Sequence, residues 1–160
     1  MAHSLRLAAL LGLGPVRVAT QQVVRAALVR IMLVPVLMSA ACAPSVPDDP
    51  VLAAGQVVYR TCSSCHGVAG QGGAGPPLVD GAVLITFPTC GEHVKWIMVG
   101  SEAWKAEVGD TYGATGKTVR GGMPAFGPVL TEEQIRQVAA YERAQFGGAD
   151  PVEARADCEI

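Results

Sequence analysis

A chain of 160 residues has room for one modest domain. Half of it is hydrophobic but only 5% is aromatic, with 19 Gly and 11 Pro, which describes a loop-rich domain that gains from a staple, a metal or a bulky prosthetic group. All 14 Asp and Glu follow Cys42, against 8 of the 12 Lys and Arg, and the resulting −6 argues against nucleic acid or an anionic membrane surface as a partner of this part.

Arg25 and Arg30 precede an uncharged apolar run of 11 residues, 31–41. A bilayer span needs about 20, so the run suits the core of an export signal instead. It ends in S-A-A-C-A-P-S. Small residues before a Cys resemble the bacterial lipoprotein signal, which would make Cys42 an acylated N-terminus, although Ser39 stands where that signal usually has Leu. Lipidation of Cys42, ordinary cleavage near Ala41 or Ala43, and an uncleaved anchor stay open. A second apolar patch at 5–13 makes the signal unusually long, and a start between the two patches is expected. The expected organisation is an export signal over 1–41 and a flexible Pro- and Asp-rich tether over 42–50. A domain over 51–147 and a C-terminal tail over 148–160 follow.

Residues 51–61, V-L-A-A-G-Q-V-V-Y-R-T, read as a short helix that runs into T-C-S-S-C-H-G. Residues 67–89 open with G-V-A-G-Q-G-G-A-G-P-P and are expected to be mostly loop. Residues 90–100, C-G-E-H-V-K-W-I-M-V-G, read as a second helix stopped by Gly100, with His93 solvated or capping. Residues 101–130 read as loop again. Residues 130–146 carry the clearest helical pattern: Thr131 caps, Gln134 completes a capping box, and Ile135, Val138, Ala139 and Phe146 share a face. No strand-period alternation is present, so the domain is expected to be all-α, short helices joined by long loops.

C-x-x-C-H serves covalent haem attachment, while C-x-x-C also serves zinc sites and dithiol redox centres. Zinc has a rival set in Cys62, Cys65, Cys90 and His93, a Cys₃His arrangement. It leaves His66, G-P-P-L (75–78) and Met123 unexplained. A dithiol centre lacks the βαβ pattern that usually surrounds it. Haem explains more. The i, i+3 spacing of Cys62 and Cys65 puts both sulfurs on one side of a helix end, with the His66 ring following. A proline carbonyl of G-P-P-L could accept the ring's second N–H, and Leu78 could pack on it. Met123, in G-G-M-P-A-F, could supply a sixth ligand from the other side. Trp96 is expected against the ring or its edge.

These pieces, A-A-G-Q-V-V-Y-R-T-C-S-S-C-H-G, G-P-P-L, G-G-M-P-A-F and L-T-E-E-Q-I-R-Q-V-A-A-Y in that order, resemble class I cytochromes c over about residues 51–146. The resemblance implies an all-α fold wrapped around one covalently bound haem c. It matches Pro76 to the proline that accepts the histidine proton. Gly55, Tyr59 and Tyr141 match the places where the first and last helices cross. It implies one-electron transfer in an extracytoplasmic redox chain with protein donors and acceptors, by a carrier rather than an enzyme. A fixed haem subunit of a larger oxidase or dehydrogenase is the alternative. In an oxidising compartment the two cysteines left over, Cys90 and Cys158, are expected to pair. A lipid or anchor at the N-terminus would hold the domain at the outer face of the cytoplasmic membrane, or leave it periplasmic. The segment 101–120 exceeds what a minimal haem shell needs and is expected to cover the haem or meet a partner.

Overall fold

The computed structural model describes residues 48–112 and 115–160; the signal, Cys42 and most of the tether lie outside them. Asp49 opens the fold. Its Oδ1 accepts from the backbone N–H of Val51 (2.9 Å) and Leu52 (3.1 Å), and Pro50 fills the first helical position, where no N–H is needed. Helix α1 (Pro50–His66) continues through both cysteines. The hydroxyls of Ser63 and Ser64 fold back onto the Arg60 and Thr61 carbonyls (2.8 and 3.1 Å), so these serines do not break it.

Helix α2 (Ala82–Thr86) lies inside the stretch read as loop; five residues offer too little periodicity to betray a helix. Helix α3 (Cys90–Glu107) is capped by Thr89, whose hydroxyl accepts from Glu92 N (3.3 Å). The sequence reading stops this helix at Gly100. The residue does leave helical geometry, at φ 70 and ψ −178, but the chain resumes turning beyond the kink as far as Glu107. Only glycine adopts that conformation readily.

Helix α4 (Glu132–Gln145) has the expected capping box, Gln134 N to Thr131 Oγ1 at 3.2 Å and Thr131 N to Gln134 Oε1 at 2.9 Å. The tail is not featureless: it forms α5 (Pro151–Asp157), and a disulfide joins Cys158 to Cys90 at the start of α3. The single β pairing among the described residues is a bridge between Thr111 and Thr118, so the fold is all-α.

The core sits where α1 crosses α4. Ile135, Val138 and Ala139 are fully buried there. Tyr59 packs on Tyr141 and Phe146, ring centroids 5.6 and 4.8 Å apart. At Gly55 an added Cβ would stand 2.7 Å from that of Tyr141, so the helices touch backbone to side chain. A second aromatic group, Phe87, Trp96, Trp104 and Tyr112, packs edge-on and tilted against α3. Burying side chains of this size stabilises by roughly 1.5–3 kcal/mol each.

Candidate functional site

The last turn of α1 places Cys62, Cys65 and His66 on one wall of a cavity of about 920 Å³, near the upper end of the ligand-pocket range of about 300–1,000 Å³. Beyond the helix the Gly-rich chain turns under this end. Gly72 N bonds the His66 carbonyl (2.8 Å), Gly75 N the Cys65 carbonyl (2.9 Å), and Leu78 N the Gly70 carbonyl (2.8 Å). The Tyr59 hydroxyl donates to Gly67 O at 2.6 Å and ties the turn to the core.

These bonds bring the Pro76 carbonyl to 2.8 Å from His66 Nδ1. A carbonyl can only accept, so Nδ1 carries the proton and Nε2 keeps its lone pair. Gly75 lies flat against the imidazole: a Cβ there would stand 2.9 Å from His66 Cε1. The ring is therefore held by a hydrogen bond on one atom and by backbone on its face.

Met123 reaches the same cavity by way of the α3 kink. Breaking helical geometry at Gly100 leaves the Ile97 and Met98 carbonyls to accept from Phe126 N and Gly127 N, both at 3.0 Å. Ser101 then clasps the loop. Its N–H and its hydroxyl both donate to Met123 O (2.9 and 3.2 Å), while its Oγ accepts from Gly122 N (3.1 Å). The structure thus brings Cys62, Cys65, His66, Pro76, Leu78 and Met123 to one cavity, together with Trp96.

Segment 101–120 begins as the second half of α3, and Tyr112, Lys117 and Arg120 beyond it line the cavity. Besides the Ser101 bonds, Trp104 Nε1 donates to Thr111 O (3.0 Å) and Lys117 Nζ to Thr86 Oγ1 (2.9 Å). Burial lifts the Tyr112 phenol above its usual range.

The interior is hostile to charge at Cys62. Burial, helped by the Glu142 carboxylate, pushes the Cys62 thiol up to about 12. A neutral thioether would suit that position better than a thiolate. Cys65 is exposed beside it. Cavity volume, the orientation of His66 and the apolar setting of Cys62 all fit a flat prosthetic group attached at the two sulfurs.

Two readings of the sequence are corrected here. His93 is neither solvated nor capping. It is 2% exposed, stacked on Phe87 at 5.0 Å, with Nε2 at 3.0 Å from Oε2 of Glu142, itself 4% exposed. The Cys₃His zinc set also falls. The Cys90 sulfur is bonded to Cys158 and His93 faces Glu142, and no group of three or more His, Cys, Asp or Glu able to hold a metal occurs among the described residues.

An all-α shell closed over a cavity that carries C-x-x-C-H on a helix end defines a c-type cytochrome domain of class I. The family described as cytochrome C oxidase, cbb3-type, subunit III matches residues 50–141, more than half of the chain, and the chain belongs to it. No curated protein and no solved structure matches. Membership makes this a domain for haem-based electron transfer, with haem c covalently bound, in a family whose members include subunits of an oxidase complex.

Proposed function

We propose that the domain passes single electrons through one haem c, attached by thioethers from Cys62 and Cys65 and ligated axially by His66 and Met123. Bound there, haem supplies a one-electron ferric/ferrous couple, and imidazole–thioether ligation raises its potential. The observation that carries the reading is the His66 Nδ1–Pro76 O bond at 2.8 Å, which leaves Nε2 as the ring's ligating nitrogen, with Met123 in the lining of the same cavity. Lys117 and Arg120, in the cavity lining, would offset the charge of the haem carboxylates. Phe87, Leu78 and Trp96 would exclude water from the ring. A shell that moves little between oxidation states favours fast exchange with protein donors and acceptors.

The domain would work outside the cytoplasm, held at the outer face of the membrane through the segment before Asp49. Visible spectra of the exported, full-length protein test the ligation. Reduced c-type bands, with a weak sulfur-to-iron band in the far red when oxidised, are expected. Stoichiometric zinc and no haem would sink the reading. Mass spectrometry of the N-terminus decides the tether: a protein with neither lipid at Cys42 nor a retained signal would refute it.

A second reading, a fixed haem subunit of a terminal oxidase, is favoured by the family match over 50–141. Mild detergent extraction separates the two. A fixed subunit co-purifies with a larger haem complex, whereas a carrier is recovered alone.

A further inference from the structure

The His93–Glu142 pair is sealed into the wall of the cavity, yet nothing in haem attachment requires it. Both residues line the cavity, one from α3 and one from α4, and their side chains are 2% and 5% exposed. His93 Nδ1 is buried with no hydrogen-bond partner among the described residues. A neutral His93 donating Nε2–H to an ionised Glu142 would leave that nitrogen a bare lone pair and give the pair one net negative charge. An isolated buried charge is costly, and one further proton removes it. Burial pushes the Cys62 thiol and the Tyr59 phenol up, and a Glu142 carboxylate adds to that push.

We propose that the His93–Glu142 pair is a proton-binding site coupled to the electron: the pair binds a proton more tightly when the domain is reduced. The inference rests on the haem reading above. The redox partner delivers one electron and solvent delivers up to one proton; the only bond made is N–H or O–H within the pair. Reduction removes one positive charge from the cavity, so a negative pair in its wall becomes harder to keep and takes up the proton. Tyr59 and Cys62 on α1 and Tyr141 on α4 interact electrostatically with Glu142, Arg143 follows it in sequence and pairs with Asp157 on α5, and Tyr112, Lys117 and Arg120 share the cavity lining with the pair. Arg143 is engaged by Asp157 at 2.6 Å and by Phe87 O at 2.8 Å, so it does not neutralise Glu142 through a direct contact.

The test is a redox titration of the full-length haem protein across about pH 5 to 8, where imidazoles change charge. The midpoint potential is expected to fall as pH rises, by at most about 59 mV per tenfold change in proton concentration. Glu142→Gln, which keeps a hydrogen-bond acceptor for His93, is expected to flatten that slope and leave the visible spectrum unchanged. A flat wild-type profile overturns the proposal, and so does a slope kept in full by Glu142→Gln, which would assign it to the haem carboxylates. Should the variant not fold, the His93 ring resonance of the wild type decides by NMR. Its titration midpoint moves up on reduction if the pair is coupled, and an identical midpoint in both states overturns it. Protein without haem bands refutes the function proposed above instead, so the two failures are distinguishable.

Discussion

Ser101 does not itself line the cavity, yet three hydrogen bonds on it decide where Met123 sits. Each is worth about 0.5–1.5 kcal/mol net, and the two made by its hydroxyl vanish in Ser101→Ala. If Met123 is the axial ligand, as proposed, the variant holds its sulfur less firmly against competitors. Added imidazole is expected to displace it about tenfold more readily, corresponding to about 1.4 kcal/mol. A spectroscopic imidazole titration checks this, and an unchanged half-saturation point would show that the clasp is idle. At His66 the limiting contact is steric. Gly75→Ala puts a Cβ 2.9 Å from His66 Cε1 and 3.1 Å from Nδ1, with the Gly75 N–H anchored to Cys65 O. Overpacking of this kind costs about 1–3 kcal/mol. The melting temperature should therefore fall by about 5–15 °C, accompanied by a shift in the haem spectrum as the imidazole turns. Melting at the wild-type temperature would mean that the ring has room to spare.

The elements differ in how openly the sequence declares them. Helix α4 is announced by Thr131, Gln134 and the apolar face at 135, 138 and 139, because capping and periodicity act within a few residues. Helix α1 is declared by its pattern and by C-S-S-C-H. Helices α2 and α5 have five and seven residues, too few to show a period, and they are held by neighbours instead of by their own propensity. His93–Glu142 was equally hidden, since no local signal in C-G-E-H-V-K points to a carboxylate 49 positions away. Gly100 is the instructive case. A glycine after an apolar stretch reads as a stop, whereas here it kinks α3 so that the chain at 122–127 can dock onto the freed carbonyls. Gly100→Ala forces a side chain into φ 70, ψ −178 and sets a Cβ 2.6 Å from Ala125 N. Strain of about 1–3 kcal/mol and overpacking of similar size act together. Urea unfolding should show a loss of about 3–5 kcal/mol at an unchanged m value. A loss below about 1 kcal/mol would show that α3 can straighten without cost.

At the scale of the whole molecule, the question is why the last dozen residues stay on the body. Exposed ion pairs such as Arg136 with Glu159 contribute little. Partly buried contacts contribute more. Arg143 donates to Phe87 O, Pro88 O and Asp157 Oδ2, Asp157 also accepts from Cys90 N (3.1 Å), and Arg155 pairs with Asp49 at the start of α1. Burial draws the Arg143 guanidinium below its usual range, and Asp157 opposes that shift. These bonds already bring Cys158 to Cys90, Cα atoms 5.1 Å apart, so the disulfide closes a geometry that is set without it. Its stabilisation then lies mainly in the unfolded chain, where it ties residues 68 positions apart. The chain-entropy relation puts that near about 4 kcal/mol. Replacing both cysteines by Ala should therefore lower global stability by about 4 kcal/mol in urea while α5 stays docked in the native state. Hydrogen exchange under native conditions separates the two effects. Amides of α5 should keep their rank relative to α4, with protection falling in both by the same amount. Selective loss of protection in α5 would instead show that the disulfide, and not Arg143 and Asp157, holds the tail in place.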